Sequence, residues 1–274
     1  MRRSWFAGLA LVAALATVAF LLVPVVAIFA DVSPARLLDA LGEEASREAL
    51  LLSLKTTLIA LAIVVVVGTP AAYLLAARDF RGRAAVLTVI ELPLVMPPAV
   101  AGIALLAAFG PHGILGGVVS SLGIELVFQT AGVVVALIFV SAPFFLRQAV
   151  AAFAAVDGRL LEAARTLGAG PFRAFLTVAV PSARGGLASG VALSWGRALG
   201  EFGATLLFAG SLQGVTRTAP LAIFSAFAEP GGFVAALALS AVLILVSAAL
   251  LLSLKTTLIA LAIVVVVGTP AAYL

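Results

Sequence analysis

The chain has 274 residues, of which 64% are hydrophobic and only 10% are charged, and its formal net charge is +4. A soluble domain of this length needs more polar surface, so the composition excludes an ordinary water-soluble enzyme or binding module. The lack of cysteine excludes disulfides and thiolate nucleophiles, and a single histidine, His112, excludes a histidine-rich metal site. The basic balance fits the inner loops of a membrane protein better than nucleic-acid binding.

Six long apolar runs predict six membrane-spanning helices, because about 20 helical residues cross roughly 30 Å of hydrocarbon. With the N-terminus placed in the cytoplasm, arginine is concentrated in the inner segments, as the positive-inside rule requires. We therefore expect a multi-pass membrane protein with a cytoplasmic N-terminus. The predicted spans are 6–30, 51–76, 93–109, 130–147, 187–208 and 233–253. The inner arginines are Arg2, Arg3, Arg78, Arg81, Arg83, Arg147, Arg159, Arg165, Arg173 and Arg184, against Arg36, Arg47 and Arg217 outside.

The third apolar run is interrupted by prolines in the segment ELPLVMPPAVAG, residues 91–102. Proline removes a backbone donor and blocks the preceding helical turn. Two interpretations remain open at this point. Pro97 and Pro98 either break a helix that faces a transport pathway, or separate an interfacial helix over about 83–92 from a span that begins at Pro97.

A polar insert, about 156–186, follows the fourth run and carries the segment EAARTLGAGPFRAFLTVAVP, residues 162–181. Asp157 is a good N-cap, and the leucines and alanines that follow recur at helical spacing on one face. Gly168 fits the end of this helix, and Pro171 can open the next one. The insert lies on the cytoplasmic side, so we expect its apolar face to dock on another protein or fold back on the spans.

This insert resembles the cytoplasmic loop motif of ABC importer permeases, EAA---G---------I-LP. Val178 and Val180 stand where the pattern usually has isoleucine and leucine. The resemblance implies a coupling helix that seats in a groove of a separate ATPase subunit. The residues that it assigns to ATPase coupling are Glu162, Ala163, Ala164, Gly168 and Pro181.

A second segment, GRALGEFGATLLFAGSLQGVTRTAPLAIF at 196–224, resembles the corresponding region of molybdate permeases, as does LPLVMPPAVAGIALLAAFGPHGILG at 92–116. The GEFGA part is shared with sulfate permeases, and Ser211 and Phe224 depart from the usual Asn and Tyr. The resemblance implies an all-α polytopic permease with a six-helix core that imports molybdate or tungstate, with a sulfate or thiosulfate permease as the alternative. The implied partners are a second copy of the chain, two ATPase subunits that carry ATP and Mg, and an extracytoplasmic oxyanion-binding protein.

The chain itself is not expected to perform chemistry or to hold a cofactor. A phosphate-binding G-x-x-x-x-G-K-[ST] loop is excluded because each lysine, Lys55 and Lys255, follows a leucine. A membrane-embedded enzyme would need a polar catalytic cluster within the spans. A passive scaffold would need neither the cytoplasmic motif nor a charge pair within a span.

Such a pair is formed by Arg197 and Glu201, which lie four residues apart in the fifth run and therefore share a helix face. Charges inside a membrane are costly and are often functional. In one interpretation Arg197 offsets the charge of a passing oxyanion and Glu201 limits how tightly that anion binds. In the other, the pair is structural and the neighbouring glycines let helices approach closely at a subunit interface. The pathway candidates are Arg197, Gly200, Glu201, Gly203, Thr205, Pro97 and Pro98.

The sequence ALLLSLKTTLIALAIVVVVGTPAAYL occurs at 49–74 and again, without a difference, at 249–274. A membrane span requires apolarity, not identity, so a recent duplication or an error in assembling the sequence explains the repeat. We therefore predict a transmembrane permease domain over 1–255. The segment 256–274 is predicted to be an apolar tail that contributes nothing to transport.

Overall fold

The computed structural model describes the backbone of residues 5–268, and its regular structure there is helical throughout. This confirms the predicted all-α fold. The helices are α1 (Trp5–Asp31), α2 (Pro34–Gly42), α3 (Glu44–Ala77), α4 (Arg83–Val95), α5 (Pro98–Phe109), α6 (Gly116–Ser121), α7 (Thr130–Ala154), α8 (Gly158–Thr166), α9 (Pro171–Ala174), α10 (Val180–Leu199), α11 (Gly203–Ala209), α12 (Ala219–Ala228) and α13 (Phe233–Gly268). A π-helical turn, Phe175–Ala179, joins α9 to α10.

Four of the described helices are long and apolar enough to cross a membrane: α1, α3, α7 and the continuous helix Pro171–Leu199. The pair α4 and α5 adds a fifth span if it is counted as one, but its two halves are bent by 119°. The bend fits both predicted alternatives, a helix broken at the prolines and two separate helices, and Pro97 is the N-cap of α5. The fifth span differs from the predicted 187–208, because its helix begins at Pro171 and ends at Leu199.

Helices α3, α7 and α10 form the centre of the molecule, with α7 between the other two. The ring of Phe145, which is fully buried, fits into spaces left by two glycines. A Cβ on Gly68 would lie 3.0 Å from the Phe145 ring, and one on Gly190 would lie 3.1 Å from it. Two polar bonds link α10 to its neighbours: Ser194 Oγ donates to the Ser141 carbonyl at 3.0 Å, and Trp195 Nε1 donates to Thr57 Oγ1 at 3.3 Å.

The predicted sixth span lies within α13, whose backbone continues as one helix from Phe233 to Gly268. A helix of this length, 36 residues, extends about 54 Å, which exceeds the roughly 30 Å of a hydrocarbon core. The predicted boundary at 255 is therefore not marked by a helix break. The side chains from 253 onward and the backbone of 269–274 lie outside the described structure, so the packing of the predicted tail remains a prediction.

Candidate functional site

Two helix breaks organise the candidate pathway region. Helix α10 ends at Leu199, and α11 begins at Gly203 after a three-residue interruption. Helix α4 ends at Val95, and α5 begins at Pro98. Pro97 and Pro98 lack the amide hydrogens that a continuous helix would need, which accounts for the second break.

The two breaks meet in space. A Cβ on Gly203 would lie 2.8 Å from Pro98 Cβ, so the start of α11 rests directly on the start of α5. One turn further, a Cβ on Gly102 would lie 2.8 Å from Leu207 Cβ and 2.9 Å from the Ala204 carbonyl oxygen. Glycine is required at both positions because α5 and α11 approach almost backbone to backbone. The structure thus brings together the predicted pathway residues of the third and fifth runs.

The predicted charge pair forms at the α10–α11 break. Arg197 Nη2 lies 2.5 Å from Glu201 Oε2. The other carboxylate oxygen, Glu201 Oε1, accepts a hydrogen bond of 2.7 Å from the backbone amide of Ala204. The side chain of Glu201 is 1% exposed, whereas that of Arg197 is 28% exposed. Glu201 therefore ties the last turn of α10 to the first turn of α11.

This pair lies within the membrane-spanning part of the fold. Ala198, next to Arg197, packs in one buried cluster with Leu137 of α7. Leu137 is seven residues into α7, which places the pair roughly 10 Å along that helix from its start at Thr130. A charge at such a depth requires a partner, and the carboxylate of Glu201 supplies it.

Arg197 borders a surface of α10 that is made mainly of small residues around one leucine, Leu193, which is 47% exposed. Four small residues are exposed along this surface: Gly185, Ser189, Gly196 and Gly200. A Cβ on Gly196 would meet no described atom within 4 Å. We call these four residues the open face of α10. Of the other predicted pathway residues, Pro97 and Pro98 are exposed, whereas Thr205 is fully buried and so does not reach the surface.

The predicted helix–turn–helix of the polar insert is present. Asp157 caps α8 by accepting a hydrogen bond of 3.0 Å from the Arg159 amide. Gly168 has φ +83°, a left-handed conformation that glycine adopts without strain, and ends the helix as predicted. The amide of Ala169 closes this end by donating to the Ala164 carbonyl at 2.9 Å, and Pro171 then opens α9.

Helix α8 has apolar residues on two sides. One side packs against the membrane-spanning helices, and the other faces outward. On the inner side, Leu161 packs against the cluster that contains Tyr73, Phe153 and Phe175. These three aromatic rings contact one another, with centroids 4.9 to 6.2 Å apart. A cavity of about 270 Å³ lies between α8 and this cluster. The insert therefore folds back on the spans, as one of the two predicted alternatives requires.

The outward surface of α8 and α9 carries apolar residues that are about half exposed or more. Leu160 is 49% exposed, Leu167 is 88% exposed and Phe172 is 73% exposed. This surface leaves the docking alternative open as well. Of the residues predicted to couple to an ATPase, Glu162, Ala163, Gly168 and Pro181 are exposed and Ala164 is half-buried.

Three features of these sites were not anticipated from the sequence. They are the aromatic cluster beneath α8, the second role of Glu201 as a cap for α11, and the π-helical turn Phe175–Ala179. The last of these had a usable signal. Pro181 lacks an amide hydrogen and its ring crowds the carbonyl four residues earlier, that of Thr177, so a locally widened helix is expected before it.

Comparison with known proteins identifies the family. Residues 65–260 match the model of the family described as binding-protein-dependent transport system inner membrane component. The chain belongs to this family. The permease is 41% identical over 240 residues to the molybdenum transport system permease protein ModB of Mycobacterium tuberculosis (strain ATCC 25618 / H37Rv). The aligned stretch covers 87% of this chain and 90% of that protein.

Two further likenesses bear on substrate and fold. The permease is 37% identical over 206 residues to the sulfate transport system permease protein CysW of Synechocystis sp. (strain ATCC 27184 / PCC 6803 / Kazusa), covering 73% of this chain and 74% of that one. Its fold matches a chain of a bacterial alginate ABC transporter solved in complex with alginate pentasaccharide-bound periplasmic protein. That match has a TM-score of 0.74 at 16% identity and covers 92% of this chain and 93% of the other. The chain is thus an ABC importer permease subunit, as the sequence motifs predicted.

Proposed function

We propose that this permease forms the membrane pathway of an ATP-driven importer for molybdate or tungstate. The observation that carries the oxyanion class is a cation, Arg197, placed within a span beside the open face of α10. Support for molybdate comes from the molybdenum permease relative, which is more similar over a longer stretch than the sulfate permease relative. Molybdate and tungstate are tetrahedral dianions of similar size, so one site serves both.

A dianion that crosses a membrane needs both room and a compensating charge. The open face of α10 supplies room, since its glycines and serine leave the backbone uncovered on either side of the exposed Leu193. Arg197 supplies the charge at the edge of this face. The exposed Pro97 and Pro98 lie beside the same break, at the contact between Pro98 and Gly203. We assign these residues and Gly200 to the wall of the pathway, and the buried Glu201 to the position that holds Arg197 in place.

ATP would act through the outward surface of α8 and α9. Leu167 and Phe172 offer an exposed apolar surface to a groove on an ATPase subunit. A displacement of α8 would press on Tyr73 of α3 and Phe153 of α7, because Leu161 of α8 packs against the cluster that holds both rings. Phe175, which touches both rings, begins the π-helical turn that leads into α10, and α10 ends at the charge pair. This chain of contacts connects the cytoplasmic surface to the pathway.

The full importer would contain two copies of the permease, two ATPase subunits that hold ATP and Mg, and an extracytoplasmic protein that delivers the anion. The permease would lie in the bacterial inner membrane with its N-terminus in the cytoplasm. A sulfate or thiosulfate importer is the second candidate, and the sulfate permease relative favours it.

The test is the ATP hydrolysis of the complex reconstituted in nanodiscs with its ATPase and binding protein. Molybdate-loaded and tungstate-loaded binding protein should stimulate hydrolysis, and sulfate-loaded protein should not. Stimulation by sulfate alone would favour the second candidate. A permease that binds no ATPase subunit would refute the assignment of α8.

A further inference from the structure

The two oxygens of the Glu201 carboxylate have different partners. Oε1 accepts from the Ala204 amide at 2.7 Å, and Oε2 faces Arg197 Nη2 at 2.5 Å. The side chain is 1% exposed, so it cannot move without breaking a buried hydrogen bond and leaving a backbone donor unpaired. Glu201 is the fixed member of the pair.

Arg197 is bound less completely. A guanidinium has five N–H donors in a planar fork, and the contact with Glu201 occupies one end of this fork. The side chain is 28% exposed beside the open face of α10. Its remaining donors therefore have access to the space that a passing anion would occupy. A planar fork of donors suits the oxygen atoms of a tetrahedral oxyanion.

We propose that the free edge of Arg197 is a transient binding site for a tetrahedral oxyanion and that Glu201 is a positioning residue that keeps this site weak. The proposal rests on the proposed function. Glu201 holds the guanidinium at the edge of the open face, and its negative charge cancels most of the attraction that an isolated buried cation would exert. Conduction requires binding that is favourable enough for entry and weak enough for release.

The decisive variant is Glu201→Gln. Its amide oxygen can still accept from the Ala204 amide, so the cap on α11 remains while the negative charge is removed. The matched control is Glu91→Gln, which removes a carboxylate from an exposed pair with Arg147 at 3.9 Å. Each complex, without the binding protein, is placed in nanodiscs, and equilibrium binding of radiolabelled molybdate is measured together with the melting temperature.

We expect Glu201→Gln to bind molybdate at least about tenfold more tightly than the wild type and to turn over more slowly, because the cation is no longer neutralised. Adding Arg197→Ala to this variant should abolish the gain. Glu91→Gln should match the wild type in both measurements. Unchanged molybdate affinity in a Glu201→Gln complex that melts like the wild type would overturn the proposal and leave the pair with a structural role.

A second variant keeps the test decisive if Glu201→Gln does not fold. Arg197→Lys retains a cation beside Glu201 but loses the planar fork. The proposal predicts a KM for oxyanion uptake that is several-fold higher with normal assembly, whereas an unchanged KM would overturn it. Uptake by the wild type distinguishes a failure of the proposed function from a failure of the role assigned to Glu201. A wild type that takes up no oxyanion refutes the proposed function, and normal uptake with an unaltered Glu201→Gln affinity refutes this inference alone.

Discussion

Replacing Gly203 by alanine should destabilise the permease by separating α5 from α11. The new Cβ would lie 2.8 Å from Pro98 Cβ, whereas carbon atoms in contact are ordinarily about 3.5–4.0 Å apart. The two helices must therefore move apart by roughly 1 Å, since Pro98 is rigid and cannot rotate away. Overpacking of this kind costs about 1–3 kcal/mol. We expect a melting temperature several degrees lower and reduced uptake, because the Ala204 amide at the start of α11 is hydrogen-bonded to Glu201 of the charge pair.

The assay is thermal unfolding of the purified complex, followed by uptake in proteoliposomes. Gly196→Ala is the matched control for the melting temperature alone, since a Cβ there meets no described atom within 4 Å but Gly196 belongs to the open face. Gly102→Ala should behave like Gly203→Ala, because its Cβ would lie 2.9 Å from the Ala204 carbonyl oxygen. Equal melting temperatures for Gly203→Ala and Gly196→Ala would refute the close packing of α5 on α11.

Four further predictions concern the coupling segment and the C-terminal region. Gly168→Leu should lower ATPase stimulation, because φ +83° costs a side chain about 1–2 kcal/mol, whereas Gly170→Ala, at φ −63°, should leave stimulation unchanged. Asp157→Ala should weaken α8 by about 1 kcal/mol through loss of its cap, seen as faster amide exchange in α8; equal exchange rates would contradict the capping role. Phe153→Ala should uncouple ATP hydrolysis from uptake and destabilise the complex by about 3–5 kcal/mol, and tight coupling in this variant would exclude the aromatic cluster from transmission. Truncation after Lys255 should leave dimer formation and uptake intact, and loss of either in that shortened chain would make the tail a working part.

The helix–turn–helix of the polar insert was predictable because its signals are local. Asp157, Gly168 and Pro171 each act on the backbone within a few residues, and each is found in its predicted role. The limits of the fifth span were not predictable from apolarity, because the hydrophobic run continues through the break at Gly200–Phe202. The helix end at Leu199 is accompanied by contacts that an average of hydropathy over a window cannot detect. The main one is the hydrogen bond from the Ala204 amide to Glu201.

The close contact between α5 and α11 could not be predicted from the sequence either. Gly102 and Gly203 are a hundred residues apart, and a glycine in an apolar run has many explanations besides a close contact. The repeated segment illustrates the same limit. Residues 49–68 and 249–268 have the same sequence and are helical in both places, since helix formation depends on local preference. Where each copy packs depends on its neighbours along the chain.

Uptake of radiolabelled molybdate can be measured in proteoliposomes that hold the reconstituted complex, with ATP in the lumen and loaded binding protein outside. A molybdate permease should show ATP-dependent accumulation that excess unlabelled tungstate suppresses and excess sulfate does not, and Arg197→Ala should lose this uptake. Accumulation of sulfate but not molybdate, or full molybdate uptake by the Arg197→Ala complex, would contradict the proposed function.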